Sequence, residues 1–287
     1  MKRRRLVRVP ASTANLGPGY DVLAAALGIY LELEVEETGG ELVVESDVPG
    51  VPDGRENLCV RAFEALKAGG SDGMTFRIRS EIPLSAGLGS SAAAIVAGLV
   101  AADSMFELDA PLFETAAAIE GHPDNVAAAL MGGFVICAGG RAERFDPASG
   151  IEGVLATPPG VVPTEQARAA LPDAVPMRDA VHNIGHAALL ILGLARGPDL
   201  SLVGRGLEDR VHQPHREAVY PRSMELLRQA RELGAIGATI SGAGPTVLFW
   251  CHWEQTGTVF DAVRRAAPDC EVRRAQFVPG GADVRSL

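Results

Sequence analysis

Cysteine is scarce in this chain, and so are long apolar runs. Its 287 residues include only four cysteines, none of them at C-x-x-C spacing. Such sparse cysteines do not predict a disulfide framework, so we expect a reducing compartment, the cytoplasm. The longest apolar run, at residues 92–102, is shorter than the roughly 18 residues that a membrane span needs. The sequence therefore predicts no membrane partner.

Positive charge is also limited. Lys and Arg together number 26 against 36 Asp and Glu, which leaves a formal net charge of −10. Non-specific nucleic-acid binding requires a basic surface, so we expect no nucleic-acid partner. A small anionic ligand is still compatible with this charge, because backbone amides bind phosphate locally inside an acidic protein.

The chain is long enough for about two domains, and its patterns mix strands with helices. "IYLELEVEE" alternates apolar and acidic residues like a half-buried strand, and Gly39-Gly40 leads into "ELVVES" as in a β-hairpin. Residues 92–103 have the small, apolar composition of a buried helix. Because strands and helices do not alternate regularly, we predict an α+β fold. The Pro- and Gly-rich stretch "GVLATPPGVVP" predicts a boundary between domains 1–155 and 156–287.

The stretch "EIPLSAGLGSSAAAIVAGLVAAD", Glu81 to Asp103, contains a glycine loop that allows several interpretations. Gly87 to Ala92 matches G-x-G-x-x-A, but a dinucleotide fingerprint needs a strand directly before the first glycine and another strand after the helix. Pro83 interrupts the entry, and no clear strand follows the helix. A Walker A loop is excluded because no lysine follows the glycines.

The interpretation that we favour is a loop that binds the phosphates of a nucleoside triphosphate. Its glycines let the backbone approach phosphate closely, and Ser90 and Ser91 add hydroxyl and N–H groups. The helix that follows directs the positive end of its dipole at the anion. Ala92 and Ala93 leave room at the start of that helix. A tight turn without any ligand is the remaining alternative.

Several segments resemble the GHMP kinase superfamily, in order along nearly the whole chain. "PLSAGLGSSAA" is similar to the second motif of that superfamily, and "ISGAGPTVLF", Ile240 to Phe249, to its third. "VPASTANLGPGYDVLAAAL", Val9 to Leu27, resembles the N-terminal motif of one member family, the homoserine kinases. "EGHPDNVAAALMGGF", "TEQARAALP" and "DRVHQPHREAVYP" resemble segments of the same family. Three separated glycine motifs make the resemblance specific.

The resemblance implies both a fold and a reaction. The fold is the two-domain GHMP kinase architecture, with an N-terminal ribosomal-protein-S5-domain-2-like domain, a C-terminal ferredoxin-like domain and the active site between them. The reaction is transfer of the γ-phosphoryl group of ATP, with Mg²⁺, to the side-chain hydroxyl of L-homoserine in threonine biosynthesis. A homodimer is implied as well. The alternatives are a kinase of the same superfamily that acts on another small molecule, such as mevalonate, and a non-catalytic member that only binds a ligand.

The substrate-binding residues are implied by the matching segments. Arg168 and Arg216 would bind the substrate carboxylate, which suits the bidentate hydrogen bonds of arginine. Asp21 would receive the ammonium or the hydroxyl group, and Asn15 would hydrogen-bond the substrate. His122 lies in the matching "HPDN" loop. Without the resemblance, each of these residues has a plainer interpretation, as a solvated arginine, a turn residue or a helix end.

The resemblance also implies a metal site. Glu114 falls at the position of the Mg²⁺ carboxylate, with Ser90 or Ser91 as the second ligand, since Mg²⁺ prefers oxygen ligands. Glu120 is the rival carboxylate. The two glutamates are six residues apart, about 240° around a helix, so we do not expect them to share one ion.

The proton acceptor is left open, because the resemblance implies that homoserine kinases lack a dedicated base. Asp21, Asp124 with its neighbour Asn125, and the phosphate itself are the candidates for this catalytic role. The predicted nucleotide-binding residues are Pro83, Leu84, Ser85, Ala86, Gly87, Leu88, Gly89, Ser90, Ser91, Ala92 and Ala93.

Two pairs of histidines lie outside these motifs. His182 and His186 stand at i, i+4 on a predicted helix, and His212 and His215 lie further along the chain. A zinc site would be expected with a recognisable partner signature, which the sequence does not show. We therefore interpret these residues as ordinary buried or surface histidines.

Overall fold

A computed structural model describes residues 3–67, 69–147, 149–160, 164–195, 197 and 199–287. Within these residues the strands are β1 (Arg4–Ala14), β2 (Leu23–Glu37), β3 (Val43–Ser46), β4 (Met74–Ser80), β5 (Phe134–Ala138), β6 (Arg141–Phe145), β7 (Ile151–Thr157), β8 (Gly237–Ile240), β9 (Val247–His252), β10 (Glu271–Ala275) and β11 (Asp283–Ser286). The α-helices are α1 (Leu58–Leu66), α2 (Ser90–Phe106), α3 (Leu112–Glu120), α4 (Pro123–Met131), α5 (Thr164–Ala169), α6 (Met177–Ala195), α7 (Leu200–Gly206), α8 (Pro221–Gln229) and α9 (Thr256–Ala266). A 3₁₀ helix spans Gln213–Arg216.

The first sheet has the strand order β11-β1-β2-β4-β3, and β5 and β6 extend it from the beginning of β2. Strand β2 alternates as its sequence predicts, with Leu31, Leu33 and Val35 buried. Helices α2 and α4 pack on β1 and β2, and α1 and α3 pack on α2. The core of this half of the molecule therefore lies between one face of the sheet and these helices.

Helix α2 is the buried helix that its composition predicts. Of its 17 residues, 11 are buried. A Cβ added to Gly98 would lie 2.2 Å from the carbonyl oxygen of Cys59, so α2 packs very closely against α1. Just before the helix, the carbonyl of Leu88 accepts a hydrogen bond of 3.1 Å from the backbone N–H of Ser12. This contact holds the start of α2 against β1.

The predicted hairpin of β2 and β3 is wrong. Strand β3 pairs in parallel with β4, which lies between β3 and β2. Strand β4 buries Met74, Phe76 and Ile78, whereas three of the four residues of β3 are exposed. Strand β4 therefore takes the inner position, where it buries three large apolar side chains, and β3 forms the exposed edge. The turn at Gly39-Gly40 could not indicate that β4 rather than β3 pairs with β2, because a turn does not determine which later strand pairs with β2.

The second sheet has the order β10-β7-β9-β8 and is antiparallel throughout. Helices α8 and α9 pack on it around Leu226, Phe249 and Val263. Strand β11 returns to the first sheet and pairs with β1. The α+β class is thus confirmed, while the domain boundary at residue 155 falls inside β7 and stays a prediction. No helix in the described part of the chain has the length and apolar character that crossing a membrane demands.

Candidate active site

Three chain segments that are far apart in the sequence meet at one pocket. They are the end of β1 with its following turn, the glycine loop before α2, and the loop between β8 and β9. The hydroxyl of Ser241 donates to the carbonyl oxygen of Gly87 at 2.7 Å and lies 2.9 Å from Thr13 Oγ1. The backbone N–H of Gly242 donates to the carbonyl of Ala14 at 3.1 Å. These bonds join the two halves of the molecule at the pocket.

Gly87 and Gly89 are required by packing as well as by the turn. Both have left-handed φ angles, +78° and +69°, which favour glycine. A Cβ on Gly87 would lie 2.3 Å from the carbonyl oxygen of Ser241, and one on Gly89 would lie 2.1 Å from Ser12 Oγ. The glycines therefore let the loop pack directly against the other two segments.

Helix α2 begins at this pocket. Its N-cap, Gly89, has no side chain to accept from the first-turn N–H groups, and no acidic residue stands in the first turn. The first N–H groups of a helix have no partner inside it, and they form the positive end of the helix dipole. The start of α2 is therefore suited to bind an anion. The predicted loop residues that line the pocket are Ser85, Gly87, Gly89, Ser90 and Ser91.

The other residues predicted for the loop do not line this pocket. Four of them, Ala86, Leu88, Ala92 and Ala93, are buried in the core, where they fix the loop and the helix in place. Pro83 and Leu84 precede them, and Leu84 lines a second pocket. The sequence could not separate these two groups, because residues that line the pocket and residues that pack in the core alternate within one motif.

A second, mainly apolar pocket adjoins the first and shares Ser85, Ser90 and Ser91 with it. Its other lining residues are Leu31, Val48, Val51, Pro52, Asn57, Leu58, Cys59, Ile78, Ser80, Leu84 and Ala94. Apart from the glycine-loop residues, its lining comes from several separate segments that carry no motif. Only the packing of those segments therefore reveals this pocket.

Glu120 is the carboxylate that reaches the start of α2. Its Oε2 accepts a hydrogen bond of 2.6 Å from the hydroxyl of Ser91, and only 10% of its side chain is exposed. Burial raises the pKa of Glu120, and the hydrogen bond from Ser91 opposes that shift. A carboxylate and a hydroxyl are oxygen donors of the kind that Mg²⁺ prefers, so these two side chains fit a site for that ion.

Glu114, which the resemblance implied as the metal carboxylate, does not lie at the start of α2. It is exposed in the first turn of α3 and does not line the pocket. The C-terminal end of α3, where Glu120 lies, approaches α2. At 1.5 Å per residue, Glu114 and Glu120 are about 9 Å apart along the axis of α3. The structure thus brings Glu120, the rival carboxylate, to the pocket instead of Glu114, and the metal-binding role itself stays a prediction.

The start of α4 places further polar side chains at the pocket. Asp124 is 2% exposed, and its Oδ1 accepts hydrogen bonds from the backbone N–H of Asn125 at 2.7 Å and from His122 Nδ1 at 3.2 Å. The bond to Asp124 raises the pKa of His122 against the effect of burial, and the charge of Glu120 adds to the rise. Asn125 Oδ1 accepts from Ser12 Oγ at 2.8 Å, a partner that the sequence did not predict.

Arg168 and Asp21 form a two-pronged ion pair at the pocket. Arg168 Nη1 and Nη2 donate to the two carboxylate oxygens of Asp21 at 2.9 and 2.7 Å, and Nη1 also donates to Tyr20 OH at 2.7 Å. The hydrogen bond to Asp21 raises the pKa of Arg168. Asn15 accepts from the backbone N–H of Asp21 at 3.0 Å and donates to the carbonyl of Gly242 at 2.8 Å. These bonds hold a carboxylate and a guanidinium side by side.

Arg216 is 1% exposed, yet it contributes to the pocket lining. Its Nη1 donates to the carbonyl oxygens of Ala243 at 2.9 Å and Ala167 at 3.2 Å, and its Nε faces His212 Nδ1 at 3.5 Å. Two of these acceptors are backbone carbonyls, and the third is a ring nitrogen of His212, whose pKa is lowered by burial. Burial likewise lowers the pKa of Arg216. Among the described residues, no carboxylate accepts a hydrogen bond from Arg216, so its buried positive charge is available to an anion in the pocket.

A buried hydrogen-bond network, which no sequence motif indicated, lies behind Arg216. His212 Nε2 donates to the carbonyl of Gly17 at 2.8 Å. The carboxylate of Asp209 accepts from the backbone N–H of Gln213 at 2.6 Å and from Asn183 Nδ2 at 2.7 Å. These residues hold the chain around the 3₁₀ helix. The segment "DRVHQPHREAVYP" contains Asp209 and His212, but neither was given a role beyond that match.

All but one of the predicted residues outside the loop meet in this pocket. They are Asn15, Asp21, His122, Asp124, Asn125, Arg168 and Arg216. The pocket therefore combines a helix start that is suited to an anion, the largely buried carboxylates of Glu120 and Asp124, and two guanidinium groups beside the carboxylate of Asp21. Such a set can hold a phosphate chain next to a small ligand that carries both charges.

Comparison with known proteins identifies the family. The sequence model of the GHMP kinases N terminal domain matches residues 57–133, and that of the GHMP kinases C terminal matches residues 190–269. A protein named homoserine kinase from Streptomyces avermitilis is 44% identical over 259 residues, which cover 84% of this chain and 84% of that protein. Another, from Moorella thermoacetica, is 40% identical over 262 residues, which cover 87% and 88%.

Solved structures agree with these sequence matches. The crystal structure of homoserine kinase from Cytophaga hutchinsonii has a TM-score of 0.86 and 27% identity, covering 99% of this chain and 98% of that chain. The L. major mevalonate kinase has a TM-score of 0.70 at 18% identity and shows a shared fold alone. The predicted resemblance and its two-domain fold are confirmed, and the chain belongs to the GHMP kinase family and, within it, to the homoserine kinases.

Proposed function

We propose that this chain transfers the γ-phosphoryl group of ATP to the side-chain hydroxyl of L-homoserine, giving O-phospho-L-homoserine for threonine biosynthesis. Relatives that are 40% and 44% identical to it are named homoserine kinases. The observation that carries the proposal is the charge pattern of the pocket, where Asp21, Arg168 and Arg216 lie beside the anion-binding start of α2. A zwitterionic amino acid next to a phosphate chain matches that pattern.

The amino-acid end of the substrate is proposed to bind opposite the loop. Its carboxylate would be held by Arg216, which donates to no carboxylate among the described residues, and by Arg168, whose planar fork suits a carboxylate. Asp21 would accept the ammonium, with Asn15 and His122 completing the contacts. Mevalonate offers a carboxylate but no ammonium, so Asp21 is the residue that favours homoserine.

The nucleotide is proposed to extend across the two adjoining pockets. Its phosphates would bind the N–H groups at the start of α2, and its base would occupy the apolar pocket that shares Ser85, Ser90 and Ser91. Ser91 and Glu120 would hold Mg²⁺, which supplies the positive charge that neutralises the phosphate oxygens during transfer. The loop itself fixes the phosphate chain in position, and the arginines fix the acceptor.

Positioning and charge dominate phosphoryl transfer, so we propose that no dedicated base is needed. Asp124 already accepts hydrogen bonds from Asn125 and His122, which gives it a structural task. Asp124→Asn is expected to keep more than about a tenth of kcat, because a general base contributes about 10²–10⁴-fold. Steady-state rates at saturating ATP and homoserine measure this. A loss of about 100-fold would make Asp124 the base.

The assignment is tested by ADP release with homoserine, mevalonate and galactose offered separately. We expect turnover with homoserine only, and turnover with another acceptor but not with homoserine would overturn the proposal. An analogue of homoserine that lacks the amino group sharpens the test. The wild type should prefer homoserine over this analogue, and Asp21→Asn should lose that preference, because its amide no longer attracts the ammonium.

A cytoplasmic homodimer completes the proposal. Helix α6 exposes Met177, Val181 and Ile184, whose exposed fractions are 78%, 60% and 71%. At spacing i, i+4, i+7 they form an apolar stripe along one side of the helix, which supports contact with a second copy. The mass of the protein in solution, measured by light scattering, distinguishes a dimer from a monomer.

A further inference from the structure

Outside the catalytic pocket, two histidines of α6 face a glutamate that follows α7. His182 and His186 stack with their ring centroids 3.7 Å apart. Glu208 Oε2 lies 4.0 Å from His182 Nε2 and 3.6 Å from His186 Nε2. One ligand atom from each residue lies within 4.8 Å of the other two. The sequence showed only the two histidines, because Glu208 is brought to them by the packing of α7 on α6.

The Nε2 atoms of both histidines are available to a ligand. His186 Nδ1 lies 2.7 Å from the carbonyl oxygen of His182, so this nitrogen carries the proton and donates it. The same arrangement orients histidines that bind metals in other proteins. His182 Nε2 is buried and has no hydrogen-bond partner among the described residues, which is rare for a buried polar atom.

We propose that His182, His186 and Glu208 bind a zinc-class divalent cation and thereby tie α6 to the end of α7. Two imidazoles and one carboxylate, with water in the fourth position, form a known tetrahedral ligand set for Zn²⁺. Zn–N distances of about 2.0–2.1 Å place tetrahedral ligands about 3.3 Å apart. The distances of 3.6 and 4.0 Å from Glu208 Oε2 to the two Nε2 atoms are close to this value, and the side chain of Glu208 is 57% exposed and can approach. Because the Nε2 lone pairs lie in the ring planes, the two stacked rings must turn out of parallel for both to point at one ion.

The ion would stabilise the support of the catalytic pocket. Asn183 and Asp209, the direct neighbours of His182 and Glu208 in the sequence, are hydrogen-bonded to each other at 2.7 Å. Asp209 also accepts the backbone N–H of Gln213, the first residue of the 3₁₀ helix that carries Arg216. Bound metal would therefore hold the segment from which Arg216 reaches the pocket. The binding of the ion itself does not depend on the proposed kinase activity.

The test is a titration of the protein, free of any histidine tag and of nucleotide, with ZnCl₂ and with CoCl₂. Calorimetry should show one tight Zn²⁺ site per chain, and Co²⁺ should give the strong visible absorption of a tetrahedral complex. His186→Gln and Glu208→Gln should each weaken this site by about 100-fold or more, since even outer-shell partners are worth about 10–100-fold. Added MgCl₂ should not compete, because Mg²⁺ prefers oxygen ligands.

Two control variants separate this site from others. His252→Gln removes a histidine that pairs with Glu254 at 3.6 Å in the second sheet, and it should bind Zn²⁺ like the wild type. His122→Gln removes the histidine of the catalytic pocket and should do the same. Zn²⁺ affinity that survives His186→Gln and Glu208→Gln, or that is lost in His122→Gln instead, would overturn the proposal.

Thermal unfolding gives an independent readout. With Zn²⁺ at about 100 times its Kd, the unfolding temperature of the wild type should rise by about 5 °C. Glu208→Gln, which changes an exposed side chain, should unfold at the wild-type temperature without metal and should show no such rise. An equal rise in both proteins would place the ion elsewhere and contradict the proposal.

Discussion

One side of the catalytic pocket is built from backbone groups and hydroxyls, and the opposite side from charged side chains. One side, at the start of α2, offers backbone N–H groups and the hydroxyls of Ser90 and Ser91 within one short loop. The opposite side offers the charged groups of Asp21, Arg168 and Arg216, which arrive from the turn after β1, from α5 and from the 3₁₀ helix. Under the proposed function, phosphate binding is therefore a local property of this chain, whereas recognition of the amino acid depends on how distant segments pack.

The largest effect on kcat is expected from Glu120, whose carboxylate reaches the loop side of the pocket. Glu120→Gln should lower kcat by about 100-fold or more, because a bound cation supplies several kcal/mol and each 1.36 kcal/mol is tenfold. Glu114→Gln, on the same helix but outside the pocket, should leave kcat nearly unchanged. Rates at saturating substrates and graded Mg²⁺ measure both. Similar losses in the two variants would contradict the assignment to Glu120.

The next largest effect, at Arg168, tests whether the arginine side of the pocket contributes to homoserine binding but not to ATP binding. Arg168→Ala should raise the KM for homoserine by about 10–100-fold, because hydrogen bonds between charged groups are worth about 1.5–3 kcal/mol. The KM for ATP should change much less. Arg178→Ala removes an arginine that is 83% exposed and serves as the matched control. An equal rise in both KM values would mean that the two sides of the pocket do not act separately.

The third prediction concerns the loop side of the pocket, where a substitution should weaken ATP binding rather than homoserine binding. Ser91→Ala removes the hydroxyl that donates to Glu120 at 2.6 Å, so the KM for ATP in the presence of Mg²⁺ should rise by up to about tenfold. Ser90→Ala should have a smaller effect, and the KM for homoserine should be nearly constant in both variants. If either substitution weakened homoserine more than ATP, the loop would not be the phosphate site.

The smallest effect is a pH dependence at His122, which lies between Asp124 and Glu120. Because the pKa of His122 is raised above its ordinary 6.5, its contribution to stability is fully present below that value and is lost as the pH rises through the folded-state pKa. His122→Gln should therefore unfold about 3 °C below the wild type near about pH 5.5, and the gap should close near about pH 9.

Thermal unfolding across this pH range measures the effect, with His252→Gln as the control histidine. Within the part of the chain that the structure describes, His252 lies within ion-pair distance of one carboxylate, that of Glu254, whereas His122 lies beside two. A gap for His122→Gln that grows with rising pH would show that the neutral imidazole, rather than the charged one, stabilises the fold.

Much of the fold was predictable because its signals are local. The alternation of β2 and the small, apolar residues of α2 each describe one element and its burial, and both predictions are confirmed. The pairing of β3 was predicted wrongly, because it depends on competition between strands. The buried network of Asp209, His212 and Asn183 could not be predicted, since Asn183 comes from a different helix than the segment of Asp209 and His212, and only packing brings them together.

The sequence by itself determined the glycine loop with its serines and the family to which the chain belongs. Those signals are contiguous, because a helix start binds an anion through its own backbone. Tertiary structure alone decided that Glu120 rather than Glu114 meets Ser91, that Asp21 pairs with Arg168, and that Glu208 joins His182 and His186. Side chains from distant segments become neighbours only when the helices and sheets pack, so no spacing along the chain reports their distances.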